Sequence, residues 1–298
     1  MTATTVGLPT SVGPAPDSFY DFGGEGPPLH FANANGYPPG AYAPLIAALR
    51  PHYHVTAHRG RPLQPGSNPQ ALRSWEPLVD ELVAHLEAAG ARGWLGVGHS
   101  LGAILTAAAA LRRPEFFSAL VLIEPVFFSP PRMWLYGWMH RLGLVRHFHP
   151  MVPVARRRRS QFRDTQEMFE RYRPARVFRE IDDAGLRAYI DSLAVPTAEG
   201  VELAFPPAWE AQIYETGPFN LWGQLSRLRP PLLVIRAAET NAFEPKAVTA
   251  LQSRLPQATI HQLDSGTHLI PLEQPTQIAD LIHAFAQQHA PERIGTSA

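Results

Sequence analysis

The pentapeptide Gly98-His99-Ser100-Leu101-Gly102 constrains this chain more than any other feature. A short β-type run, Trp94–Val97, precedes it, and an alanine-rich helical segment, Leu101–Arg112, follows it and ends near Pro114. Glycines at both ends of the pentapeptide describe a strand turning sharply into a helix. The central residue is then held in a strained backbone conformation. Its neighbours two places away on either side pack almost against each other, so side chains at 98 and 102 would collide. The serine hydroxyl is pushed out of the bend, over a helix N-terminus whose dipole favours negative charge. Such a strand–elbow–helix context presents a nucleophile.

The rest of the chain alternates in the same way. Pro28–Ala32 and Tyr53–Ala57 read as strands, and Tyr42–Leu49 has helical spacing. Ser74–Ala89 is an amphipathic helix with Trp75, Leu78, Leu82, Val83 and Leu86 on one face, stopped at Gly90. Ala119–Ile123 has the leucine and β-branched content of a strand buried on both faces. Leu232–Ile235, Pro245–Arg254, Thr259–Leu263 and Gln274–Gln288 resume strand, helix, strand, helix. The pattern predicts an α/β fold, a mostly parallel sheet with helices on both faces.

Between the two halves lies an insertion, Val126 to Leu225, which reads as helical and holds 16 of the 29 aromatic residues. The expected organisation is a core of residues 19–125 and 226–290, a helical cap of residues 126–225, and tails at 1–18 and 291–298. Charge in the insertion is segregated: nine arginines against three acids in 151–179, then one arginine against eight acids in 180–225. The simplest account is ion pairing between the two stretches. The Arg156–Arg159 run could instead meet an anionic ligand or partner.

Composition excludes several classes. Twenty-six basic groups balance 26 acidic ones, so neither nucleic acid nor an anionic membrane is expected as a partner. There is no cysteine, hence no disulfide, thiolate metal site or cysteine nucleophile. No secretory signal or membrane-length apolar run is evident, and the expected setting is cytoplasmic. The expected partner is a small-molecule substrate, with the chain a monomer or homodimer.

A serine at its ordinary pKa needs a base. Of 13 histidines, His268 in Gly266-Thr-His-Leu-Ile is best placed, in the loop between the last strand and the last helix. In a parallel sheet that loop shares an edge with the elbow. His99 is expected to pack beside the elbow rather than act. His52, His54 and His58 share strand parity, but no nearby carboxylate completes a metal set, so no metal is expected. His140, His147 and His149 are candidates to line a pocket in the insertion.

Together these motifs resemble the α/β-hydrolase superfamily with a helical cap, from about Phe19 to Gln288. In that family the acid that orients the base usually follows the strand after the cap. Here that loop reads Arg236-Ala-Ala-Glu-Thr-Asn-Ala-Phe-Glu-Pro245, with Asn241 at the expected place. The family's second solution puts the acid at the end of the strand after the elbow helix, where Glu124 stands. A carboxylate ending a buried run needs a partner, and His268 is the candidate. Glu239 and Asp264 are the alternatives. The resemblance also implies an oxyanion hole from the amides of Leu101 and Tyr37, the latter in Asn35-Gly36-Tyr37-Pro38. Asn33 and Asn35 are expected to satisfy the backbone of that turn.

The resemblance implies a serine hydrolase with a Ser100-His268-Glu124 triad and no cofactor, acting on a small or medium acyl or aryl ester beneath an aromatic cap. A carbon–carbon bond hydrolase, an amide, lactone or thioester hydrolase, and a non-enzymatic ligand binder are the alternatives.

Overall fold

The computed structural model describes residues 19–217 and 220–289. The expected tails at 1–18 and 291–298, and Phe219 of the insertion, lie outside the described residues. Seven strands form the main sheet: β1 (Phe19–Gly23), β2 (Pro28–Ala32), β3 (His54–His58), β4 (Trp94–His99), β5 (Phe117–Ile123), β9 (Leu232–Arg236) and β10 (Thr259–Gln262). Their order is β1-β3-β2-β4-β5-β9-β10; β1 runs antiparallel to β3 and the other pairings are parallel. β1 was not foreseen; its residues are only partly buried, so it lacks the apolar signature of the central strands.

The centre of the sheet is dry. Val121, Leu122 and Ile123 of β5 and Val234 and Ile235 of β9 are fully buried, each worth about 1.5–3 kcal/mol of burial. Helix α1 (Ala43–Leu49) lies in the β2–β3 crossover and α2 (Glu76–Ala88) in the β3–β4 crossover. Helix α3 (Leu101–Arg112) is buried from Leu101 to Ala110, which its alanines permit by letting it sit close to the strands. The chain winds from β2 out to β3, then returns to β4 on the other side of β2. The crevice beyond the ends of β2 and β4 is therefore the switch point at which open α/β sheets bind ligands.

The insertion leaves at the end of β5 and returns at β9. It contains α4 (Pro130–Arg141), α5 (Val145–Phe148), α6 (Met151–Arg156), α7 (Thr165–Tyr172), α8 (Asp183–Leu193) and α9 (Pro207–Thr216). It is not wholly helical, contrary to expectation. β6 (Gln161–Phe162), β7 (Ala194–Thr197) and β8 (Gly200–Leu203) form a three-stranded antiparallel sheet. Gly200 makes this possible: at φ +148° it passes so close to β6 that a Cβ would stand 2.3 Å from the Phe162 carbonyl oxygen. Helices α10 (Pro245–Arg254), α11 (Ile270–Glu273) and α12 (Pro275–Gln288) complete the core. Among the described residues no helix is long and apolar enough to cross a membrane.

Candidate active site

Ser100 sits at the β4–α3 bend with φ +55° and ψ −112°, a conformation that L-residues rarely adopt. Its amide donates to the Ile123 carbonyl at 2.9 Å, tying the bend to β5. The flanking glycines have the steric role expected of them. A Cβ on Gly98 would meet the Gly102 carbonyl oxygen at 2.5 Å, and one on Gly102 would meet the Ala32 carbonyl oxygen at 2.1 Å.

His268 and Glu124 converge on this serine. Ser100 Oγ lies 2.9 Å from His268 Nε2, and His268 Nδ1 lies 3.1 Å from Glu124 Oε2. This arrangement favours the tautomer with its proton on Nδ1, leaving Nε2 to accept from the serine hydroxyl. Glu124 is fully buried and, like Ser100, has positive φ, at +48°. Its charge is met by donors: the Ala237 amide donates to Oε1 at 2.7 Å and the Thr240 hydroxyl to Oε2. Of the three carboxylates weighed from sequence, Glu124 alone lies within hydrogen-bond distance of His268 among the described residues. Glu239 is exposed and pairs with Arg179 at 2.9 Å; Asp264 is exposed. The loop after β9, where the family's usual acid would stand, contributes donors instead. Nothing in the sequence marks Thr240, because its role depends on the acid standing at Glu124.

A second hydrogen-bond chain runs behind the serine, and sequence reading missed it. The Ala34 amide donates to Tyr42 Oη at 3.1 Å, Tyr42 Oη lies 2.7 Å from His99 Nδ1, and His99 Nε2 lies 2.8 Å from the His268 carbonyl oxygen. Burial, reinforced by the neighbouring His268 ring, holds the His99 pKa well below the ordinary histidine value. A neutral His99 therefore donates from Nε2 and accepts from Tyr42 at Nδ1. One side chain links the turn after β2, the elbow and the loop carrying His268.

The turn after β2 corrects one expectation. The Tyr37 amide donates to the Ala34 carbonyl at 3.2 Å, so it is committed to closing the turn 34–37. The amides of Asn35 and Gly36 make no hydrogen bond among the described residues, nor does that of Leu101 at the start of α3. The expectation placed the turn correctly but counted one or two residues too far. Asn33 Nδ2 donates to the Ala34 carbonyl, within the turn, whereas Asn35 Nδ2 donates across to the Glu210 carbonyl of the insertion.

The insertion meets this turn through a buried polar cluster. Arg158 pairs with Glu210 at 2.8 Å and donates to Tyr189 Oη at 2.6 Å, and the Tyr189 ring stacks on Tyr37. Burial raises the Tyr189 and Tyr214 pKa values, keeping both phenols protonated. Part of the segregated charge is consumed in pairs: Arg156–Glu215, Arg158–Glu210, Arg173–Asp183 and Arg179–Glu180 join four of the nine arginines of the basic stretch to four of the eight acids of the other. The aromatics divide. Phe127, Trp209 and Trp222 are buried, with Trp222 Nε1 donating to the Phe128 carbonyl, while Trp134, Trp138 and Phe148 are exposed. Among the pocket candidates His140 and His147 are exposed, and only His149 packs on Tyr214.

The three histidines of shared parity separate. His52 stacks on His283, His54 pairs with Asp21, and His58 lies buried between His30 and His85. Four residues along a strand span about 13 Å, too far for one ion. Among the described residues no group of three histidines or carboxylates could hold a metal.

Comparison with known proteins gives the family of the chain. The sequence model of a family described as the alpha/beta hydrolase family matches residues 29–281. A relative from Azorhizobium caulinodans, provisionally named carbamate hydrolase RutD, is 23% identical over 93% of this chain and 98% of its own. A strigolactone esterase of Arabidopsis thaliana is 26% identical over 70% of this chain and 71% of its own. The crystal structure of E-2-(acetamidomethylene)succinate hydrolase superposes with a TM-score of 0.72 at 18% identity, over 90% of this chain and 94% of that one.

Proposed function

The chain belongs to the alpha/beta hydrolase family and is a hydrolase; from that premise we propose that it cleaves a small or medium acyl or aryl ester through an acyl-enzyme on Ser100. The observation that carries the reading is the unbroken chain Ser100–His268–Glu124, with steps of 2.9 and 3.1 Å. An esterase and a carbamate hydrolase among the similar proteins are consistent with an ester-like bond.

Ser100 Oγ attacks the acyl carbonyl carbon as its proton passes to His268 Nε2. The carbonyl π pair moves to oxygen, and the resulting oxyanion meets the Leu101 amide and an amide of the Asn35–Gly36 turn. Glu124, which accepts from the Ala237 amide and the Thr240 hydroxyl, offsets the imidazolium charge and holds the ring in its tautomer. The intermediate collapses, the carbon–oxygen bond to the leaving group breaks, and His268 gives its proton to the departing alcohol or phenol. Water then attacks the acyl-serine as His268 takes one of its protons. Collapse releases the acid and returns that proton to Ser100.

A fluorophosphonate probe tests the nucleophile, and p-nitrophenyl esters of graded chain length test the substrate class. The expected result is labelling and hydrolysis in the native chain and neither in Ser100→Ala. Labelling that persists in Ser100→Ala overturns the assignment. Labelling without turnover of any ester in the series overturns the substrate class.

A further inference from the structure

We propose that the outer face of the cap, built by α4 to α6, docks on an anionic lipid surface. Of the nine large hydrophobic side chains exposed among the described residues, seven fall between Trp134 and Val154. Trp134, Trp138 and Leu142 recur at four-residue spacing, which places them along one stripe of α4, with Leu135 beside them. They are 67%, 46%, 63% and 53% exposed, whereas Met133 is the only buried residue of that helix. The two indole rings pack edge to face at 5.8 Å. Phe148, Met151 and Val154 continue the exposed apolar surface through α5 and α6.

The charge of this segment points to what covers it. Residues 130–159 hold seven arginines and three histidines and not one aspartate or glutamate. Arg141, Arg146 and Arg157 are exposed and form no ion pair among the described residues. The remainder of the chain holds 19 basic against 26 acidic groups. The neutral total therefore conceals a molecule that is positive over residues 130–159 and negative over the remainder, a polarity that orients this face of the cap toward an anionic plane. Indoles and leucines flanked by guanidinium groups suit the headgroup boundary of a bilayer, where a helix lies in the surface without crossing it. A second copy of the chain would bring unpaired arginines against unpaired arginines. A nucleic acid would leave the aliphatic side chains wet.

The inference does not rest on the proposed reaction, but it bears on it. The cap is inserted between β5 and β9, above the sheet edge that carries Ser100. Docking would set the elements covering that edge against the phase that holds acyl chains.

Co-sedimentation of the full chain with phosphatidylcholine vesicles, with and without phosphatidylglycerol, tests the proposal. Thermal melts of each variant serve as a folding control. The native chain is expected to sediment with the phosphatidylglycerol vesicles and to be released by salt. Trp134→Ser with Trp138→Ser should lower partitioning by at least about tenfold. Neutralising Arg141, Arg146 and Arg157 to glutamine should lower it about fivefold per residue and abolish the dependence on lipid charge. Failure to sediment with the anionic vesicles overturns the proposal. So does a dimer in solution that Trp134→Ser with Trp138→Ser converts to monomer, since the face would then belong to a second copy.

Discussion

A cluster of buried and half-buried histidines gives a quantitative prediction. His30 on β2, His58 at the end of β3 and His85 on α2 have ring centroids 5.6–5.9 Å apart. Among the described residues neither nitrogen of His30 has a hydrogen-bond partner, nor do Nδ1 of His58 and Nε2 of His85. Burial lowers the pKa of His58 to about 3 and of His85 to about 4, and it holds that of His30 well below 6.5. A histidine whose folded pKa is depressed binds fewer protons folded than unfolded, so stability rises with pH below the unfolded value. The effect is absent above about pH 7.5 and grows as pH falls from 6.5 toward 3. At pH 5 the unfolded chain is about 1.5 pH units below the histidine pKa, so His58 alone costs about 2 kcal/mol, at about 1.4 kcal/mol per unit. For a chain of 298 residues that is roughly 3 °C in Tm. Urea denaturation of the native chain and of His58→Leu, which is similar in volume and cannot be charged, isolates the term. The variant should lose about 2 kcal/mol less stability than the native chain between pH 8 and pH 5. Equal losses, or a His58 resonance that titrates near 6.5 in the folded protein, would refute the reasoning.

Two further outcomes follow from the site. Glu124→Gln keeps the shape of the acid but removes the charge opposite His268, and should lower kcat on the order of 10³–10⁴-fold with KM nearly unchanged, measured on the best ester of the series. Gly102→Ala drives a Cβ to 2.1 Å from the Ala32 carbonyl oxygen; it should lose roughly 3 kcal/mol or more of stability and fluorophosphonate labelling with it, whereas alanine at the exposed Gly137, where a Cβ meets nothing, should melt no lower than the native chain.

What could be read from the sequence was what local geometry dictates. The elbow was legible because only glycine fits at 98 and 102, and β5 because a strand buried on both faces must be almost wholly apolar. Glu124 was picked out by the resemblance to the α/β-hydrolase superfamily, with the support that a carboxylate ending such a strand needs a partner. Less legible were features set by the third dimension. β1 carries only a partly buried pattern, and the small sheet of the cap rests on strands of two to four residues, too short for periodicity to register. The Tyr37 amide failed as a donor through a single turn hydrogen bond, a matter of one or two residues that spacing does not resolve. Neutral net charge set the expectation of no membrane partner, and a sum over the chain does not register the basic segment 130–159 on which the lipid proposal stands.

The chain Ala34–Tyr42–His99–His268 bears on why the elbow carries a histidine beside its serine. Ser100 Oγ, His268 Nε2 and the free amides of the Asn35–Gly36 turn come from three separate loops, beyond β4, β10 and β2. Attack requires all three to be set within a few tenths of an ångström. The sheet fixes the ends of its strands, but the loops beyond them have no ladder to hold them. His99 is the last residue of β4 and is itself fixed, and its two ring nitrogens reach one loop each, through Tyr42 to the turn and directly to the backbone of His268. The task needs a donor and an acceptor at opposite ends of one rigid ring, and a side chain that stays neutral when buried. Neutral imidazole meets both demands. An amide side chain has a donor and an acceptor on one carbon, and a carboxylate beside Glu124 would add a second buried negative charge. His99 thus serves the proposed reaction without touching the reacting atoms, by making the positions of the base and of the oxyanion donors depend on the strand that positions the nucleophile.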